Sequence, residues 1–408
     1  MSGEILKAVT DIIFDKDDVW IISDEWNCLF RYNLPEKNLE LETVFPKAPG
    51  TDYGAFSKIL KLKNEIYFIP FKAKNIFYYN LIEKEMHAMD ISIQLPEVKN
   101  MGAVVQGKYI YCINRFPDAV IKIDTVTKKA TVFKADIDRY IDTDIEEKVY
   151  RTYKEPCIDN GKIYWSNYSD MLIIFDTENQ SFSIEFLDGL PQGGVERLEN
   201  AYGMELKDWI IGVRVFKGII FLFSMEGRVY QYKDAIYEIK DNLFNGYINC
   251  SDIDNITCAV FYDLIELGSN LYFISSYKNK CIKYNNVSKR FEEVLYSYRE
   301  TWNGNRRSYS LCKAIDEQKI VLYSYYESCF YILDFENDLT EKIYLQFPMI
   351  DRKWTKRNLV LANLLLKRIE NKDNLKILLI RMLYENQEQE QTLSADEIVG
   401  EKIYKALN

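Results

Sequence analysis

Histidine is almost absent from this chain: His87 is the only one in 408 residues. A Ser-His-Asp or Cys-His arrangement would have to run through that imidazole, and no other residue pattern points to it. A multi-histidine metal centre is excluded. The eight cysteines, at positions 28, 112, 157, 250, 258, 281, 312 and 329, show no C-x-x-C spacing. Most sit inside apolar strand-like runs, and they are expected to be reduced, buried thiols without a zinc site. Neither a Gly-rich phosphate loop, nor a dinucleotide fingerprint, nor a G-x-S-x-G elbow occurs. No cofactor and no metal ion are therefore expected. No run approaches the roughly 18 uncharged apolar residues of a membrane-spanning helix. The opening Met-Ser-Gly-Glu-Ile-Leu-Lys lacks the pattern of a secretory signal, so a cytoplasmic location is expected.

Positive charge is also short. Fifty-two basic residues against 62 acidic ones leave a formal charge of −10, which argues against broad binding to nucleic acid. What is abundant is aromatic: 31 tyrosines and 22 phenylalanines in a chain that is 48% hydrophobic, enough to bury a large core. Lysine, asparagine, isoleucine and tyrosine are plentiful while proline is scarce, a composition expected of an AT-rich bacterial genome.

The aromatics recur with a period. Trp20, Tyr67, Tyr111, Tyr164, Phe221 and Tyr272 anchor six apolar runs, and Val321 takes that place in a seventh. Twelve or thirteen residues after each anchor comes a polar stop: Asn33, Asn80, Asp124, Asp176, Lys233, Asn285 and Asp334. The mean step is about 50 residues, the signature of a radial β-array. In the second unit, strands are predicted over Phe56–Leu62, Ile66–Ile69, Ile76–Tyr79 and Met86–Ile91, with a tight turn at Lys63-Asn64. The stop at Asn80 suits a turn because asparagine and aspartate bond nearby backbone and tolerate positive φ. Four short antiparallel strands repeated seven times describe an all-β, seven-bladed propeller, in which packing blade on blade buries faces that one sheet could not. The anchor aromatics are read as core.

The unit resembles a kelch-type repeat. Ile66-Tyr67 and Ile163-Tyr164 fall where that family has its second-strand aromatic. Tyr79-Asn80 and Phe175-Asp176, followed by Thr-Glu-Asn, fall where it has its third-strand aromatic, polar residue and turn. The double glycine that ends the second strand in that family is missing here. The resemblance implies a propeller over about Ile5 to Pro348, with a binding surface on the face that carries the second-to-third and interblade loops.

On that face the second-to-third turns carry Trp26, Phe71, Phe116, Tyr168, Met225, Tyr277 and Tyr326, one large apolar residue per unit. A ring of them would mark recognition, or each packs onto its own blade. Three interblade connections add polar groups: Arg151 with Tyr150 and Tyr153, Arg197 in a Gly-rich stretch, and Trp302 with Arg306 and Arg307. Aromatics mixed with arginine suit stacking on a flat peptide group or a sugar ring while bonding its polar edge. The function expected is a non-catalytic scaffold that recognises a protein or glycan partner. The alternative is a carbohydrate-active lyase or hydrolase using loop tyrosines and acid pairs such as Asp142 with Asp144 or Asp252 with Asp254.

After Pro348 the period-2 pattern stops. Leucine-rich segments at Trp354–Ile369 and Leu375–Leu383, and a capping-box pattern at Ser394-Ala-Asp-Glu397, predict a helical extension over 349–408 beside a propeller domain over 1–348. Residues 352–381 hold nine basic side chains against two acidic ones. Such a basic amphipathic stretch could rest on an anionic membrane surface or an acidic partner, or dock on the propeller itself.

Overall fold

The computed structural model describes residues 6, 9–23, 28–45, 55–71, 73, 75–89, 100–114, 119–135, 155–166, 170–190, 210–224, 227–233, 235–245, 260–276, 280–295, 311–324 and 327–345. They form seven four-stranded antiparallel sheets, each with its strands in chain order, and the fold is an all-β seven-bladed propeller. Sheet 1 holds β1 to β4 (Val9–Asp15, Asp18–Ser23, Cys28–Asn33, Asn38–Val44) and sheet 2 holds β5 to β8 (Phe56–Leu62, Glu65–Pro70, Phe77–Asn80, Glu85–Ala88). Sheet 3 holds β9 to β12 (Asn100–Gln106, Tyr109–Asn114, Ala119–Asp124, Lys129–Lys134) and sheet 4 holds β13 to β16 (Cys157–Asp159, Lys162–Ser166, Met171–Asp176, Ser181–Phe186). Sheet 5 holds β17 to β20 (Ile210–Phe216, Ile219–Ser224, Val229–Tyr232, Ile236–Glu238), followed by a single helical turn, α1 (Asn242–Asn245). Sheet 6 holds β21 to β24 (Phe261–Leu267, Asn270–Ser275, Lys280–Asn285, Arg290–Leu295) and sheet 7 holds β25 to β28 (Leu311–Ala314, Lys319–Ser324, Cys329–Asp334, Leu339–Tyr344). The helical extension expected over 349–408 lies outside the described residues. By contact the chain forms two compact units, Met1–Asp90 with Tyr344–Asn408, and Ile91–Ile343.

Within the first unit, Trp20 and Ile22 of β2 face Ile66 and Phe68 of β6, alternate residues meeting across the gap between sheets 1 and 2. Phe45, just past β4, fills that gap with ring centroids 4.5 Å from Phe56 and 4.7 Å from Phe68. Its burial contributes about 2 kcal/mol, and the ring pairs add about 0.5–1.5 kcal/mol each.

The second unit repeats the rule. Tyr111 and Ile113 face Ile163 and Trp165; Phe221 and Phe223 face Leu271 and Phe273; Tyr272 and Ile274 face Ile320 and Leu322. Second strands are therefore buried on both faces and read as unbroken apolar runs, while most fourth strands alternate exposed and half-buried residues as the outer edge of their sheet. First strands meet their neighbours, β13 with β17, β17 with β21 and β21 with β25.

The polar stops act as expected with one refinement. In six sheets the Oδ1 of Asn33, Asn80, Asp124, Asp176, Asn285 or Asp334 accepts backbone N–H bonds from the turn that follows. Positive φ falls four residues later, at Lys37, Lys84, Lys128, Gln180, Lys289 and Asp338, so the stop residue bonds the turn and another residue takes the left-handed bend. Lys233 has no side-chain oxygen to offer, and in sheet 5 the third strand ends one residue before it.

Candidate functional site

The two ends of every sheet are built differently. At one end, turns join first to second and third to fourth strands. The first of these is two residues long in sheets 1 to 6, with positive φ at Lys16, Lys63, Gly107, Asn160, Lys217 or Gly268; the second is the bonded turn just described. At the other end the second-to-third connection leaves and the interblade connection arrives. The interblade segments are unequal: 45–55, 89–99, 135–156, 187–209, 239–260 and 296–310.

The chain is anchored where it enters that second end. Each second strand closes on a small residue, Ser23, Asn114, Ser166, Ser224, Ser275 or Ser324, with Pro70 in sheet 2, and the six polar ones are all buried. Ser166 donates its hydroxyl to the Ile210 carbonyl at 2.9 Å, tying sheet 4 to the first residue of β17. Ser224 Oγ accepts the Arg228 N–H at 3.1 Å and Ser324 Oγ the Glu327 N–H at 3.3 Å, so these hydroxyls organise the connection that follows them. Sequence reading passed these residues over because serine and asparagine carry no periodic apolar signal.

First strands begin at the same end with a local irregularity. Register shifts fall at Val9/Asp11, Phe56/Lys58, Ile210/Gly212 and Phe261/Asp263, the geometry of a β-bulge. Asp11, just past the shift, accepts the Ile59 N–H on β5 at 2.8 Å. Gly212 fits because a Cβ there would stand 1.9 Å from the Phe223 ring.

Asp263, in the corresponding position, anchors a heavily bonded charge, Arg214. Arg214 of β17 donates to both Asp263 carboxylate oxygens at 3.1 and 3.2 Å, to the Leu264 carbonyl at 2.9 Å, and to the Glu155 carbonyl at 3.0 Å. Burial is the largest single influence and opposes its charge, but Asp263, Cys157 and Glu155 together outweigh it and the guanidinium is held above its ordinary pKa. Cys157 of β13 lies beside it; burial pushes that thiol up while Arg214 pulls it down, with a net rise. Every nitrogen of Arg214 is engaged, so the cluster is a clamp and not a ligand cradle. It joins the first strands of sheets 4, 5 and 6, whose preceding connections, 135–156, 187–209 and 239–260, are the longest between sheets.

Those connections are rooted by buried apolar residues: Ala135; Leu187 and Leu190; Phe244 and Val260. Asp241 caps α1 by accepting the Leu243 N–H at 2.9 Å, and Phe244 lies 5.3 Å from Phe291 and 5.5 Å from Phe273. Of the residues expected to meet a partner, Phe71 is described: its N–H bonds the Ala55 carbonyl at 2.9 Å and its side chain is half-buried. Trp26, Phe116, Tyr168, Met225, Tyr277, Tyr326, Arg151, Arg197, Trp302, Arg306 and Arg307 lie outside the described residues, as do Asp142, Asp144, Asp252 and Asp254.

His87 is on the outer strand of sheet 2, as predicted, but has company. Its Nε2 lies 3.7 Å from Glu83 and 3.9 Å from Glu85, and the three ligand atoms fall within 4.8 Å of one another. Sequence reading weighed the histidine alone and missed the Glu-x-Glu-x-His spacing. The described cysteines, 28, 112, 157, 281, 312 and 329, are free thiols, five of them buried.

No family profile and no curated protein matches this sequence. Solved structures are similar in fold. YCF48 from Cyanidioschyzon merolae gives a TM-score of 0.52 at 8% identity over 84% of this chain and 97% of that one. YCF48 bound to D1 peptide gives 0.52 at 8% identity over 79% and 92%. The computationally designed protein Ika8 gives 0.50 at 8% identity over 84% and 88%. At these identities the likeness concerns the fold.

Proposed function

We propose that this chain is a non-catalytic binding propeller, kelch-like in its repeat, that recognises a protein partner with the end of its sheets where the interblade connections arrive. The observation that carries the proposal is the asymmetry between ends. One end is closed by short, internally bonded turns. The other sends out the long and unequal connections from strands fixed by buried serines, bulges and the Arg214–Asp263 clamp. Binding loops on a rigid frame lose less entropy on association, which is the physical advantage of the arrangement. The aromatic and arginine residues expected to make contact, Trp26, Phe116, Tyr168, Tyr277, Tyr326, Arg151, Arg197, Trp302, Arg306 and Arg307, fall in the sequence between second and third strands or between sheets, and we assign them to this end. The same fold in YCF48 is found with a bound peptide, which supports a protein ligand over a glycan. The free thiols suit a reducing, cytoplasmic setting.

Affinity capture tests this with three baits: the intact chain, the triple variant Trp302→Ala, Arg306→Ala, Arg307→Ala, and a chain truncated after Pro348. A protein retained by the intact and truncated chains and lost from the triple variant is the expected result. Loss only on truncation would move recognition to the basic C-terminal segment, and retention of a glycan in place of a protein would overturn the partner class.

A further inference from the structure

On the outer edge of sheet 2, Glu83, Glu85 and His87 bring two carboxylates and the chain's single imidazole to one surface, and we propose that they bind a first-row divalent cation, with Zn2+ as the representative ion. Glu85 and His87 are two apart on β8 and so share a face, and Glu83 reaches it from the preceding turn. Two of the three ligands are held in place. Asn80 accepts the Glu83 N–H through Oδ1 and donates through Nδ2 to Glu83 Oε2 at 2.9 Å, which orients that carboxylate. His87 stacks on Tyr78, directly opposite on β7, at 5.0 Å and 23°, and Tyr78 stacks in turn on Tyr67 at 5.8 Å.

The separations fit a shared ion better than direct contact. At 3.7 and 3.9 Å the imidazole Nε2 is too far from either carboxylate to hydrogen-bond. Ligand atoms around a tetrahedral zinc with bonds of about 2.05 Å are roughly 3.4 Å apart, so small side-chain shifts close the site. No lysine or arginine among the described residues pairs with Glu83 or Glu85. Two adjacent carboxylates thus face each other beside the imidazole, and a dication removes their repulsion. Both carboxylates are exposed, at 59% and 69%, and the imidazole is half-buried, at 34%, so water completes the coordination and the ion exchanges freely. One nitrogen and two oxygens favour Cu2+ and Zn2+ over Mg2+ and Ca2+, which prefer oxygen-only shells.

The test uses the full chain without a tag, titrated with Zn2+ by calorimetry in excess Mg2+. Wild type takes up one Zn2+ at this site; His87→Gln weakens that step by at least about 100-fold, and Glu85→Gln by about tenfold or more. Circular dichroism confirms that both surface variants stay folded. Cu2+ added to wild type shows a single coordinated imidazole by electron paramagnetic resonance, and His87→Gln shows none. Equal zinc uptake by wild type and His87→Gln, no uptake by wild type, or a copper spectrum lacking imidazole nitrogen overturns the proposal.

Discussion

Replacing Asp263 with alanine removes both carboxylate partners of Arg214 and the acceptor of the Leu264 N–H, which it bonds at 2.7 Å. Breaking a buried ion pair from one side costs about 3–5 kcal/mol because the surviving charge stays desolvated. Here the Arg214 side chain keeps 17% of its exposure and can recover some hydration, so the lower part of that range, about 3 kcal/mol, is expected. Unfolding entropy of about 2.1 cal/mol/K per residue over 408 residues turns this into a fall in Tm of about 3–4 °C. Arg214→Met takes the guanidinium away from Asp263, which stays bonded to Leu264, and is expected to cost about 2–3 kcal/mol. The double variant should cost less than the sum by at least about 1 kcal/mol, since each single change already destroys the pair. Thermal unfolding of the four proteins measures the cycle. Additive losses, or an unchanged Tm in Asp263→Ala, would refute the clamp.

Asn80→Ala removes the acceptor of the Ile82 and Glu83 N–H groups and should cost about 1 kcal/mol in denaturant unfolding. Asp124 is held down to about 2 by Lys108 and by turn N–H groups, Asp334 is lowered chiefly by the Asn337 amide, and Asp176 chiefly by the Asn179 N–H. Folded values below the unfolded one of about 3.9 mean that their stabilisation is complete above about pH 5 and is lost as pH falls toward 2. Acid titration of Asp124→Ala should accordingly show a penalty at pH 7 that vanishes near pH 2. Burial pushes the Cys329 thiol and the Tyr272 hydroxyl each up to about 12 and raises Cys281 as well. The thiols should therefore resist a disulfide reagent at pH 8 until the protein unfolds. Their contribution to stability is full below about pH 8.5 and declines as pH rises toward 12, which alkaline unfolding would register. Gly212→Ala drives a methyl into the buried Phe223 ring and should destabilise by about 1–3 kcal/mol, visible as a lower Tm.

Much of the fold could be read in advance because its signals are local and repeated. β5 was predicted over the residues it occupies, Phe56–Leu62, and β6 and β7 within a residue at each end. The prediction for β8 ran past its end at Ala88, since Met89 continues the apolar run after the pairing has stopped. Asn80 and Asp176 announced their turns because the side chain itself makes the bond. Arg214 and Asp263 gave no such notice. They lie 49 residues apart, about one repeat period, and meet only because first strands of consecutive sheets pack together. Glu83, Glu85 and His87 were visible as letters, but it takes the β7–β8 register and the stack on Tyr78 to hold the imidazole toward the carboxylates. The contact residues proposed for the loop end rest on their position between strands, which repeats fix, and on residue type, which they do not.

Recognition through one end of the sheets can be tested with a photo-crosslinking amino acid placed either at Trp302 or at Val287, which is 83% exposed in the short turn between β23 and β24. One crosslinked protein is expected from position 302, none from position 287, and no such product when Arg306 and Arg307 are alanine. The same partner crosslinked from position 287 and not from 302 would contradict it.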